Sequence, residues 1–398
     1  MPSPLRCATI AMRHGCGKTQ HAVGARMNLG IWGSYGYGNY GDEAMAVMLA
    51  EQARGKGVSP AVFRLDASLA QRYGASASWE LEQFVHSADV ILLGGGGILT
   101  TTPWWKRMLL NSSTPADHGV LELFTALSKH PRFCYSISIG GDGNETTTSR
   151  MPTPIQALIS SPFYCGGTVR LPDDKRMLAR LGKDVACYPD ILFGIGSYWP
   201  RRRGRFSAYD GRWHIGVCIS RLKGIWLFRN LLKFAKLHHD VVLHFIRSHR
   251  ANCHIMHEID ANVDSAAGRI HLFQHEDPQQ TALFIGALDA VISSRLHVGI
   301  TAMSYGTLFM SYAGQPKTHS ALRSLGLEHW YWPCGSGHRL LAQLERTLSR
   351  GKMTFTDDDT ARLDEAKRAC VNHLCRFHEI LQPVLAPREL TEKNRGAK

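Results

Sequence analysis

Along residues 27–340, short apolar runs alternate with stretches in which apolar residues recur every three or four positions, and this alternation predicts the order of elements. A strand at the start of this region meets a turn holding Gly36, Gly38 and Gly41, and a helix follows over about 42–54. Residues 61–65 read as a second strand, 79–87 as a helix, and 89–93 as a buried strand running into Gly94, Gly95, Gly96 and Gly97. A helix at 121–129, a strand at 133–139 closing on Gly140 and Gly141, a helix at 155–160, a strand ending at Val169 and Arg170, and a helix through Leu181 follow. The rhythm then restarts: strand 214–220 ending at Arg221, helix 226–237, strand 241–246 ending near Arg247 and His249, and a short strand at 270–273. Helix 281–287, strand 287–292, a small-residue helix from 298 and strand 307–311 come next, and a long amphipathic helix covers 357–380.

Strand and helix alternating in both halves predict an α/β protein of two doubly wound parallel sheets. The domain reading is a loose extension at 1–26, a Rossmann-like domain at 27–200, a linker at 201–212, a second Rossmann-like domain with its terminal helix at 213–385, and a polar tail at 386–398. The linker holds the basic run Arg201-Arg202-Arg203-Gly204-Arg205.

The periodicity breaks most sharply between Val291 and Gly306, where an apolar run stops at Ser293, Ser294, Arg295, Leu296 and His297 before a helix begins. Arg295 and His297 are thus placed at a strand-to-helix turn, on the sheet edge where open α/β folds bind ligands and where a helix start favours an anion. The alternatives are a capping arginine and a satisfied structural histidine.

Composition narrows the partners. The 398 residues carry a formal net charge of +13, which favours anionic partners. No zinc-finger spacing, recognition helix or aromatic RNA-binding signature accompanies the charge, so phosphorylated small molecules or an anionic membrane surface fit better than nucleic acid. No apolar run is long enough to span a bilayer, and the first 26 residues lack the apolar core of a secretory signal. The ten cysteines are spread singly, which predicts reduced thiols in a cytoplasmic protein and neither a disulfide framework nor a metal site.

Two glycine motifs fail on inspection. Gly15-Cys16-Gly17-Lys18-Thr19 resembles a phosphate loop, but Met12 stands where that motif needs glycine. Gly36-Tyr37-Gly38-Asn39-Tyr40-Gly41 matches a dinucleotide fingerprint, yet Asp42 would repel a pyrophosphate and only Asp66 stands near the place of the ribose-binding acid. The run Gly94 to Gly97 reads either as close strand-to-helix packing or as the floor of a sugar or phosphate site, the latter suggested by Thr100, Thr101, Thr102, Trp104 and Trp105 after it.

In chain order, Gly38-Asn39-Tyr40-Gly41-Asp42-Glu43-Ala44, Gly94 to Gly97, Ser138-Ile139-Gly140, Val169-Arg170, Pro189-Asp190, Ser220-Arg221, Arg295-Leu296-His297, and Tyr312 with Pro316-Lys317 resemble the polysaccharide pyruvyl transferase family over about 27–340. That resemblance implies two Rossmann-like domains of the GT-B type with the substrate cleft between them. It also implies transfer of the pyruvyl group of phosphoenolpyruvate onto sugar hydroxyls as a ketal, with no cofactor beyond that donor. The family's donor contacts carry over onto Arg295, Leu296, His297 and Arg170, with His297 as proton donor. Arg221 and Lys317 are further candidates for the phosphate, and Gly38, Asn39, Gly41, Asp42, Gly95, Gly96, Gly97 and Asp142 for the acceptor or backbone-loop side. The chain departs from the family where Leu171-Pro172-Asp173-Asp174 follows the mid-chain arginine and where Gly141-Asp142 follows Ser-Ile-Gly.

The chemistry suits these residue types. Phosphoenolpyruvate presents a phosphate and a carboxylate on one small frame, so it needs cations from two directions, which Arg170 and Arg295 would supply from the two halves. An imidazole can deliver and recover a proton near neutral pH, and adjacent anions would favour its charged form. Asp42, Asp142 or Asp190 could orient sugar hydroxyls or act as base. The acceptor implied is a sugar or oligosaccharide, lipid-linked or free, and the basic balance allows a peripheral contact with the inner face of a membrane. Two other readings remain: a GT-B glycosyltransferase, with Glu276 and Asp277 as ribose ligands, and a non-catalytic carbohydrate-binding protein using Trp104, Trp105, Trp330 and Trp332 as platforms.

Overall fold

A computed structural model describes residues 27–99, 115–141, 153–219, 224–249 and 269–385. The first sheet contains β1 (Asn28–Trp32), β2 (Ser59–Phe63), β3 (Ser76–Ser78), β4 (Val90–Gly94), β5 (Phe133–Ile139), β6 (Tyr164–Val169) and β7 (Ala186–Cys187). The second contains β8 (Trp213–Cys218), β9 (Val241–Arg247), β10 (Ile270–Gln274), β11 (Ala290–Ser293), β12 (Leu308–Tyr312) and β13 (Tyr331–Trp332). Their orders are β3-β2-β1-β4-β5-β6-β7 and β10-β9-β8-β11-β12-β13, with every neighbouring pair parallel.

Each order reverses once, between β1 and β4 in the first sheet and between β8 and β11 in the second. Connections on the two sides of such a point leave in opposite directions and open a crevice at the carboxyl ends of the strands. The loops after β1 and β4 carry the glycine clusters, and the loop after β11 carries Arg295 and His297, so the sequence motifs fall on both crevices.

The helix Tyr40–Gly55 shows why the two sheets act together. Residues 40–50 are all buried, and its AMAVMLA core leaves no polar face for water. A helix apolar all round must be enclosed. This one lies against the second half: the Tyr40 and Thr301 hydroxyls are 2.8 Å apart, the Tyr40 N–H donates to the Ser248 carbonyl at 3.0 Å, and Glu43 meets His275 at 2.9 Å. Burying Met45, Met48 and Leu49 contributes roughly 2 kcal/mol each. One continuous apolar cluster accordingly runs through both halves, and a second covers the other face of the first sheet.

The long helix Asp357–Leu385 ties the sheets a second time. Near its start Asp359 accepts from the Trp330 indole N–H at 3.0 Å, and further along His373 contacts the Thr168 hydroxyl at 2.7 Å and the Pro189 carbonyl at 3.0 Å. Its middle therefore packs on the first sheet rather than within the second half.

Some elements differ from the sequence expectation. The strand expected at 287–292 is Ala290–Ser293, because residue 287 still ends the helix Pro278–Ala287. The edge strands β3, β7 and β13 span two or three residues, too few for any periodicity. Lys317 sits in the first turn of the helix Pro316–Ser324, an element the sequence reading does not include, with proline at its start. The seven described cysteines are free thiols. The Gly15–Thr19 segment lies outside the described residues.

Candidate functional site

The site begins where β11 ends. The Arg295 N–H donates to Ser293 Oγ at 2.8 Å, Arg295 is extended (φ −98°, ψ 127°), and the helix Leu296–Ser304 starts at the next residue. That helix is buried throughout and lies close on β12 through Gly299, where a Cβ would come 2.3 Å from the Phe309 ring. His297, in its first turn, therefore points away from the sheet toward the first half.

It meets two groups there. Arg170, the residue after β6, places Nη1 2.8 Å from His297 Nε2 and 2.9 Å from Asp190 Oδ2. A guanidinium only donates, so Nε2 accepts and the ring proton of the neutral imidazole resides on Nδ1. Nδ1 faces the backbone of Gly41: a Cβ built on Gly41 would lie 1.8 Å from it. Asp190 in turn accepts the Leu192 N–H at 3.0 Å as the cap of the short 3-10 helix Ile191–Gly194, which fixes its direction.

Burial and neighbouring charges set the electrostatics of this group. Burial, joined by the charges of Arg170, Lys317 and Arg295, lowers the His297 pKa to about 3 against the pull of Asp190. His297 is therefore neutral, because burial and the neighbouring cations together outweigh Asp190. Burial would raise Asp190, but Arg170, His297 and the Leu192 N–H together outweigh it and keep the carboxyl below the ordinary range.

Around this centre, several polar atoms are buried without partners. Among the described residues, Arg170 Nε and Nη2, Asp174 Oδ2 and Arg295 Nε find no hydrogen-bond partner. Gly140 leaves the room beside Arg170, since a Cβ there would stand 2.3 Å from Nε and 2.9 Å from Asp174 Oδ2. Asp174 accepts the Gly141 N–H at 2.9 Å through its other oxygen, and burial raises its pKa to about 7, with Arg170 pulling it back. Asp42, 6% exposed, accepts from Asn39 Nδ2 at 2.6 Å. Burial raises its pKa to about 6, moderated by Lys317 and Arg170.

The sequence candidates thus divide. Arg170, His297, Asp42, Asn39 and Gly41 come together, and the charges of Lys317 and Arg295 reach the same imidazole. Leu296 lines a cavity of about 10 Å³ together with Arg170, Pro189 and Asp190. Gly38, Gly95 and Gly96 have φ of 65°, 77° and 82°, which glycine alone adopts freely. A Cβ on Gly95 would lie 2.4 Å from Met45 Sδ and one on Gly96 3.0 Å from Asp42 Oδ1, so this run packs on the Tyr40–Gly55 helix and frames Asp42. Gly97 is half-buried in the same turn. Arg221, Asp142, Thr100, Thr101, Thr102, Trp104 and Trp105 lie outside the described residues.

Other candidates have structural employment. Asp277 accepts from Arg72 Nη1 at 2.7 Å and from the Tyr73 hydroxyl at 3.1 Å, and caps its helix through the Gln280 N–H at 2.9 Å, so it joins the two halves. Asp66 likewise caps the helix Ala67–Arg72. Trp330 is buried against Phe355 and is no open platform. The sequence reading gave Asp190 no link to Arg170 and passed over Asp174. Proline-aspartate before an apolar triplet signals a cap, which was the available clue to the first; nothing local marks the second. Among the described residues no group of His, Cys, Asp and Glu is arranged to hold a metal ion.

In fold, the chain is similar to MnaA of S. aureus in its structure with UDP (TM-score 0.59, 12% identity, 90% of this chain and 98% of that one). It is also similar to HepE of Anabaena in complex with UDP-glucose (TM-score 0.56, 13% identity, 90% and 100%). The UDP-GlcNAc 2-epimerase of Neisseria meningitidis bound to UDP-GlcNAc is a third (TM-score 0.54, 10% identity, 88% and 99%). These likenesses concern fold alone and place the two sheets in the GT-B arrangement. No curated protein sequence matched the chain. The family profile is specific where the fold is not: that of the polysaccharide pyruvyl transferases matches residues 39–314, from the asparagine that holds Asp42 past the arginine and histidine at the end of β11. By that match the chain belongs to the polysaccharide pyruvyl transferase family.

Proposed function

We propose that this protein transfers the pyruvyl group of phosphoenolpyruvate to two hydroxyls of a sugar in a polysaccharide or its precursor, forming a ketal. The observation that carries the reading is Arg170: a buried guanidinium bonded through Nη1 to a neutral histidine of the other half, with Nε and Nη2 still unpartnered among the described residues. Unsatisfied charged donors in a buried site suit a small multivalent anion.

The proton logic follows from the charges. Arg170 donates to His297 Nε2, and burial together with the surrounding cations keeps the imidazole neutral. A bound phosphate and carboxylate engage Arg170, Arg295 and Lys317, reverse the local potential and let His297 take up a proton. His297 then protonates the methylene carbon of the donor. One sugar hydroxyl attacks the resulting oxocarbenium-like carbon and loses its proton to a base, a role we assign to Asp42 on its raised pKa of about 6. Phosphate leaves, and the second hydroxyl closes the ketal with loss of its own proton. General acid help of this kind contributes roughly 10² to 10⁴ in rate. The reaction so drawn uses no cofactor beyond the donor.

Calorimetry separates this reading from nucleotide-sugar transfer. Phosphoenolpyruvate should bind saturably, and Arg170→Lys, which keeps a charge but loses the planar fork, should weaken binding about tenfold or more. Binding of UDP with no binding of phosphoenolpyruvate would overturn the proposal.

A further inference from the structure

The outward face of the helix Ile225–Leu237 takes no part in the site. Leu227, Phe228, Leu231, Leu232, Phe234 and Ala235 bury its inner face. On the outside, Trp226, Arg229, Lys233, Lys236 and Leu237 follow the helical repeat, all exposed, over about 16 Å of axis. Trp226 is 49% exposed and Leu237 79%, and the helix contains no acidic residue.

The neighbouring surface extends the pattern. Trp226 leans on Gly337, where a Cβ would meet its ring at 2.3 Å, so the indole is braced by the start of the helix Gly337–Ser349. That helix exposes Arg339 and Arg346 against the single carboxylate of Glu345.

A solvated helix face ordinarily mixes charge signs and hides its large apolar groups. Here one sign of charge lies between an exposed tryptophan and an exposed leucine, which is the composition of helices that rest in a lipid interface. A soluble acidic polymer would satisfy the cations but leave Leu237 in water, whereas a bilayer surface takes both. Among the described residues no helix is long and apolar enough to cross a membrane, so such a contact is peripheral. We propose that this face docks the protein on an anionic phospholipid bilayer, with Trp226 and Leu237 entering the headgroup region and Arg229, Lys233 and Lys236 on lipid phosphates.

The test is sedimentation of the full chain with vesicles of phosphatidylcholine alone and of phosphatidylcholine mixed with phosphatidylglycerol. It needs no enzymatic readout and stands or falls apart from the proposed reaction. The protein should bind only the anionic vesicles, more weakly as salt rises, and the double charge reversal Lys233→Glu with Lys236→Glu should reduce partitioning at least about tenfold. Leu237→Ser should lower binding severalfold while leaving the melting temperature unchanged, since that side chain is mostly in water. Absence of binding to anionic vesicles, or undiminished binding by the charge-reversed protein, would overturn the proposal. So would indifference to Leu237→Ser combined with full competition by soluble heparin, which would mark the face as a site for a soluble polyanion.

Discussion

Replacing Gly41 by alanine adds one methyl group at the contact that holds His297. The new Cβ would fall 1.8 Å from His297 Nδ1 and 2.2 Å from Cγ, where ordinary contact begins at 3.4 Å. The imidazole must therefore recede by about 1.5 Å or the helix must shift, in a region packed to crystal-like density. Either movement breaks the 2.8 Å bond from Arg170 to Nε2. The overpacking costs roughly 1–3 kcal/mol, and the better helix propensity of alanine offsets up to about 1 kcal/mol of that. Folding should thus survive, while a catalytic group displaced by more than 1 Å loses about 10²-fold in rate or more. Phosphate release from phosphoenolpyruvate in the presence of acceptor measures the loss, and thermal unfolding measures the stability. Gly55→Ala at the far end of the same helix, where an added Cβ meets nothing within 4 Å, is the control and should be harmless. A Gly41→Ala protein with turnover near that of the control would refute the placement of His297 at the reacting centre.

Two further outcomes follow from buried charges. Asp42, raised to about 6, must be ionised to act as a base, so activity should fall as pH drops through about 6 and Asp42→Asn should abolish that limb along with most of the rate. A carboxyl whose folded pKa exceeds its unfolded one favours the folded state below the unfolded value and loses that contribution as pH rises through about 6. Asp42→Asn should accordingly stabilise the protein by about 1–3 kcal/mol at pH 8 and not at pH 3, read from melting curves at both. His297 works in the opposite sense: its lowered pKa favours the folded state above the ordinary histidine value, and that contribution is lost as pH falls toward about 3. Separately, His275→Ala leaves the carboxylate of Glu43, 1% exposed, without its 2.9 Å partner between the halves, and should cost about 3–5 kcal/mol in denaturant unfolding. Adding Glu43→Gln should recover part of it, and a loss below about 1 kcal/mol would show that the pair does not hold the halves together.

The sequence by itself determined the order of the longer strands and helices, the two parallel sheets and the turn that carries Arg295 and His297, because apolar periodicity and glycine placement act over a few residues. What only the tertiary structure decided is what lies opposite what. Arg170 and His297 are 127 positions apart and meet because the chain leaving the carboxyl end of β6 in one sheet comes against the helix that follows β11 in the other. The neutral state of His297 follows first from its burial and then from the cations beside it, and burial raises the Asp174 pKa against the pull of Arg170 and the Gly141 N–H. Neither property belongs to a local stretch, since desolvation and charge pairing depend on distances that the chain sets only when both sheets have closed.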